Sequence, residues 1–126
     1  MQRFLALDIG NRRTGVAYAE EDSAIPVPLE TLKHTSISEL AKMIETLIAE
    51  RSITTLVVGL PLLLSGEEGA QTECVRDAVA EFRLPPAVKV VFLDERYTTP
   101  RDAHTDPDAC AACTLLLTHL SRLGLI

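Results

Sequence analysis

Three carboxylates in this chain stand where apolar segments give out: Asp8, Glu95 and Asp108. Asp8 closes the run Phe4, Leu5, Ala6, Leu7. A carboxylate in that position is costly to bury unless it is hydrogen-bonded, paired or holding a cation. Glu95 comes just after a second apolar run, Val88 to Leu93, with Asp94 between. Asp108 follows Pro107 at the head of an alanine- and leucine-rich segment. Three carboxylates gathered at one end of a sheet would repel each other unless cations sat among them. Oxygen ligands with open coordination positions suit Mg²⁺ or Mn²⁺. Two such ions, about 4 Å apart, can activate a water and stabilise the leaving oxygen of a phosphodiester. The chemistry suggested is therefore metal-assisted phosphodiester hydrolysis. Each carboxylate also has a plainer use. Asp8 could cap its turn through backbone N–H groups, Glu95 could pair with Arg96, and Asp108 could serve the helix dipole.

The elements that must position these residues can be read from hydrophobic period and turn chemistry. Residues 3–8 and 14–19 are apolar runs on either side of a glycine-bounded turn, a strand pair. Residues 25–32 alternate but carry Pro26 and Pro28, which confines them to an edge. Ser36 and Glu39 form a capping-box pattern ahead of Leu40, Ile44, Leu47 and Ile48, which predicts a helix over 37–51. Residues 54–58 form a β-branched strand ended by Gly59, Leu60 and Pro61. A loop over 62–69 leads to a helix over 70–83, with Cys74, Ala78 and Phe82 on one stripe and Val75 and Val79 beside it. Pro85 and Pro86 break it before a buried strand over 88–93. Asp106 suits the N-cap and Pro107 the first position of a last helix, whose apolar face is Ala109, Ala112, Cys113, Leu116, Leu117 and Leu120. The order is βββαβαβα, an α/β layout in one domain spanning residues 1–126. Ligands of such sheets gather at strand ends, where Asp8 and Glu95 fall.

Composition narrows the partners. The 126 residues are 47% hydrophobic and 24% charged, which is ordinary for a globular domain. Tryptophan is absent and aromatics make up 4%, so base stacking on aromatic platforms is not the main binding mode. A net charge of −6 argues against coating nucleic acid by bulk electrostatics, so phosphate contacts must come from local arginines. Arg12, Arg13, Arg96 and Arg101 lie beside the proposed site in sequence, and arginine suits bidentate phosphate contacts. Three cysteines, no signal-peptide pattern and no long apolar run fit a reducing cytoplasm and no membrane association. Cys110 and Cys113 make a C-x-x-C inside a helical pattern, where packing suits them better than redox work. The stretch Gly66, Glu67, Glu68, Gly69 reads as a turn before a helix. His104, near Asp108, is a further candidate for metal or water positioning.

Five stretches, in this order and over nearly the whole chain, resemble the YqgF/RuvX family of bacterial Holliday junction resolvases and pre-ribosomal RNA nucleases. They are residues 7–17, 57–62, 66–69, 94–99 and 108–112. The resemblance implies an RNase H-like fold, a mixed five-stranded sheet with its first three strands antiparallel. It also implies a nuclease dependent on Mg²⁺ or Mn²⁺, with Asp8, Glu95 and Asp108 as catalytic and metal-binding residues. Arg12, Arg13, Arg96 and Thr98 are the expected substrate-binding residues. The implied substrate is nucleic acid: the 5′ end of small-subunit ribosomal RNA precursors, or branched or single-stranded DNA. Ribosomal particles are the implied partner, and a monomer is expected over a dimer. The chain departs from the family in a shorter link between Glu95 and Asp108, without the usual basic loop, and in Leu63 where asparagine is usual. Two alternatives remain open at this point: a binding module without catalysis, and a nucleotide-binding lobe suggested by Asp8, Ile9 and Gly10 after a strand.

Overall fold

The first strand, β1 (Arg3–Ile9), is covered on both faces, which explains its unbroken apolar run. A computed structural model describes residues 1–63, 65–94 and 107–126, with the side chains of 107–110 outside that description. β2 (Arg13–Glu20) returns antiparallel to β1, pairing Arg3 with Glu20 through Ile9 with Thr14. The turn between them is closed by Gly10 N–H donating to the Arg13 carbonyl at 2.9 Å. A Cβ on Gly10 would stand 2.6 Å from that oxygen, so only glycine fits.

The edge expected over 25–32 is broken into two short pieces. β3 (Val27–Pro28) pairs with Ala17 and Tyr18, and β4 (Leu32–Lys33) pairs with Arg13 and Thr14. The sheet therefore has six strands where five were expected. The register supplies the reason: between the Ala17–Pro28 and Thr14–Leu32 pairs, two residues of β2 face three of the edge, and the extra residue interrupts the ladder after Leu29 N–H donates to the Val16 carbonyl at 2.9 Å. The antiparallel arrangement of the first three strands holds.

α1 (Ile37–Arg51) crosses to β5 (Thr55–Leu60), which pairs parallel to β1. α2 (Ala70–Ala80) then leads to β6 (Lys89–Asp94), parallel to β5. The main path across the sheet is β3-β2-β1-β5-β6. Ser36 accepts the Glu39 N–H at 3.2 Å, as its capping role requires, but the Glu39 carboxylate reaches one residue further back, to the Thr35 hydroxyl at 2.9 Å. α3 (Pro107–Arg122) completes the chain.

Alternation along β1 divides the core in two. Leu5 and Leu7 face α1 and α2, in a cluster with Leu40, Ile44, Ile48, Leu56, Val58 and Val75. Phe4 and Ala6 face α3, in a cluster with Ala17, Val57, Leu93, Ala112, Leu115, Leu116 and Leu120. Two expected core positions are corrected here. Leu117 is exposed and Leu115 is buried in its place; Cys74 is exposed, while Thr72 is buried. Phe82 lies two residues beyond α2 yet still packs into the first cluster.

Candidate active site

Asp8 is the next even-numbered residue after Phe4 and Ala6, so its side chain is on the α3 face of the sheet. It is half-buried, at the carboxyl end of β1. Its cross-strand partner on β2 is Gly15. On the other side, the register of Leu7 with Val58 sets Gly59 of β5 level with it. Asp8 is thus flanked on both neighbouring strands by residues with no side chain. The backbone closes the adjacent turn, so the cap that Asp8 could have supplied is not needed. The Asp8 carboxylate makes no hydrogen bond or ion pair among the described residues. A half-buried carboxylate in that state suits a bound cation.

β6 ends level with β1. Leu93 pairs with Gly59 and shares the α3 face with Asp8. Asp94 pairs with Leu60 and, by alternation, turns to the α1–α2 face. Glu95, two residues past Leu93 in the chain, lies outside the described residues, as do Arg96, Thr98, Arg101 and His104.

The direction of α3 follows from its packing. The His119 ring meets Phe4 edge-on, with centroids 5.7 Å apart, near the start of β1. Ala112, Leu115 and Leu116, upstream of His119, are fully buried on the same sheet face. Only Arg3 precedes Phe4 in β1, so the helix must run back over the strand, antiparallel to it. From His119 to Asp108 the axis spans about 16 Å, against about 13 Å from Phe4 to Asp8. The first turn of α3, which contains Asp108, therefore comes to the end of the sheet where Asp8 stands. The side chain of Asp108 is outside the description. Of the proposed triad, then, Asp8 is at that end of the sheet and α3 runs toward it with Asp108 in its first turn. Among the described residues there is no group of three or more His, Cys, Asp or Glu side chains placed to hold a metal.

Arg13, at the start of β2, is exposed and lies on the α3 face by alternation with Ala17 and Ala19. Arg12 is exposed in the turn. On the opposite face, a site absent from the sequence reading appears. Thr14 and His34 are both buried, and Thr14 Oγ1 lies 2.8 Å from His34 Nε2. Burial pushes the His34 pKa below its ordinary 6.5, against a weaker pull upward from Glu39. His34 Nδ1 is buried with no partner among the described residues. The ring borders a cavity of about 260 Å³ that Ile9, Asn11, Ser36, Gln71 and Asp77 also line. Nothing local in sequence signals this pair, because it depends on the β2–β4 register. No helix among the described residues is long and apolar enough to cross a membrane.

A mixed sheet with a carboxylate at its central strand end and a helix returning over that end is the RNase H-like arrangement of RuvC-type resolvases. The architecture matches Thermus thermophilus RuvC, solved with a Holliday junction substrate, with a TM-score of 0.71 at 13% identity, covering 99% of this chain and 98% of that one. It also matches the fowlpox virus resolvase, solved with junction DNA, with a TM-score of 0.64 at 8% identity, over 97% and 99% of the two chains.

The family is set by sequence. Residues 2–122 match the profile described as RuvX, Holliday junction resolvase, and the chain belongs to that family. A relative from Roseiflexus is 41% identical over 77% of this chain and 69% of its own length. One from Sulfurihydrogenibium is 32% identical over 98% and 93%. Both bear the provisional name pre-16S rRNA nuclease.

Proposed function

We propose that this chain is a divalent-metal-dependent nuclease that processes the 5′ end of pre-16S rRNA. The observation that carries the reading is Asp8, a half-buried carboxylate without a protein partner among the described residues, set between Gly15 and Gly59 at the strand end. Membership of the RuvX family and the names of its relatives support the reaction class and the RNA substrate. Residues 1–126 act as one nuclease domain, working as a monomer in the cytoplasm on nucleic acid within ribosomal particles.

Asp8, Glu95 and Asp108 are the proposed catalytic and metal-binding residues, and their oxygen donors suit Mg²⁺ or Mn²⁺. When bound, such ions supply an activated water and stabilise the leaving oxygen. The residues of the chain do the rest. Asp8 fixes its carboxylate from a strand buried on both faces, so its position is set by the core. Gly15 and Gly59 leave room beside it for the phosphate. Arg12, Arg13, Arg96 and Thr98 hold the strand to be cut, the arginines by forked contacts with phosphate oxygens.

The test is cleavage of a labelled pre-16S segment by wild type and Asp8→Asn, with and without Mn²⁺. A single-stranded DNA and a four-way junction run alongside. Metal-dependent cleavage of the RNA that Asp8→Asn removes is the expected result. Cleavage of the junction alone would replace the RNA reading with the resolvase reading, which the family's description favours. No cleavage of any of the three by folded wild type would overturn the nuclease.

A further inference from the structure

We infer that Lys33 and Arg13 form a phosphate subsite for the strand flanking the scissile bond, an inference that rests on the nuclease reading. The register pairs Arg13 directly with Lys33. Leu32, the neighbour of Lys33, packs into the α1–α2 cluster, so Lys33 must turn to the other face. That is the face of Asp8 and of Arg13. Both cations are exposed. Like charges directly opposite in a sheet disfavour the pairing. The Lys33 side chain has no ion pair or hydrogen bond among the described residues to offset that cost. A lone edge lysine would be enough to discourage strand addition. Setting it against an arginine on the catalytic face serves an anion better.

The spacing says which anion. Lys33 is two strand positions across the sheet from β1, about 10 Å. It is also offset from Asp8 by two residues along the strand, about 7 Å. The Cα atoms of Asp8 and Lys33 are therefore about 12 Å apart, and side chains standing off the same face keep most of that separation, which favours for Lys33 a neighbouring phosphate over the one beside a cation on Asp8. Lys33 instead meets a phosphate a nucleotide or two away along the same strand. The ligand is a phosphodiester backbone, read by charge and not by base, so the site gives affinity without sequence preference.

The experiment uses the full chain and whichever of the three substrates the wild type cleaves. KM, kcat and the salt dependence of binding are measured for wild type, Lys33→Ala and Lys33→Arg. Loss of one phosphate contact lowers the slope of log K against log salt by about 0.7 for a single strand and about 0.9 for a duplex. Lys33→Ala is expected to show that drop, with KM raised about threefold to tenfold and kcat nearly unchanged, as loss of uniform binding requires. Lys33→Arg should restore both. An uncharged methylphosphonate in place of the flanking phosphate should weaken wild type and leave Lys33→Ala unaffected at one position. Wild-type cleavage with an unchanged slope and KM in Lys33→Ala would overturn the subsite and leave the nuclease standing. A wild type that neither binds nor cleaves would take both away.

Discussion

Asp8 stands out by contrast with its neighbours. Gly15 and Gly59 stand level with it, and the turn beyond it is closed without its help. Gly10 is the point where this arrangement is most easily broken. Alanine there would put its Cβ 2.6 Å from the Arg13 carbonyl oxygen, a backbone atom that cannot move without opening the turn. Gly10→Ala should cost about 1–3 kcal/mol of stability, the usual range for overpacking, read by urea denaturation. His34 gives a pH signature. Burial lowers its pKa from 6.5, so the folded chain holds it neutral while the unfolded chain takes up the proton first. Stability from this group is complete above 6.5 and declines as pH falls, until it is lost below the lowered folded value. His119 is shifted the same way by its own burial, with Lys89 and Arg122 adding to the effect. Melting temperature followed from pH 7.5 to 5 should fall, and His34→Gln should flatten the fall without abolishing it. An equally steep profile in the variant would remove His34 from the account. Asp8 was legible in the sequence because a charge at the end of an apolar run is a local anomaly. His34 and Lys33 were not, because their meaning comes from partners 20 residues away across the β2–β4 register.

Among the elements, α3 matters most to the proposed site, since its first turn holds Asp108 and the helix runs over the α3 face toward the Asp8 end of the sheet. Its grip on the sheet comes from Ala112, Leu115, Leu116 and Leu120, all fully buried. Leu116→Ala should destabilise the fold by about 2–5 kcal/mol, transfer and cavity costs together. Leu117→Ala, on the exposed side, should stay within about 0.5 kcal/mol. Equal losses at the two positions, measured by chemical denaturation, would contradict the packing described. Periodicity alone could not separate these leucines. Leu115, Leu116 and Leu117 are consecutive and chemically identical, and only the sheet beneath them fixes which stripe is inward. The edge over 25–32 illustrates the reverse case. The two prolines announced an edge, but the division into β3 and β4 depends on where the ladder can resume. The helix starting near residue 37 and the β1–β2 turn were legible because caps and glycines act within a few residues.

At the scale of the whole molecule, an acidic chain must bind an acidic polymer. With a net charge of −6, it can do so only if its cations are gathered and its carboxylates neutralised locally. Arg12, Arg13 and Lys33 gather at the Asp8 end of the sheet, and Mg²⁺ or Mn²⁺ is the proposed neutraliser. Adding Mn²⁺ should therefore raise the melting temperature, by about 2.7 kcal/mol in stability at a hundred times the dissociation constant. Asp8→Asn should respond less, and chelation should reverse the gain. The most direct test of the central claim remains cleavage. Wild type and Asp8→Asn are compared on the labelled pre-16S segment with Mn²⁺, after both are confirmed folded by circular dichroism. The account predicts cutting by wild type and a loss of at least about a hundredfold in the variant, on the scale of removing a group that stabilises the transition state. Cutting by Asp8→Asn at the wild-type rate would contradict it, and the half-buried carboxylate between two glycines would need another purpose.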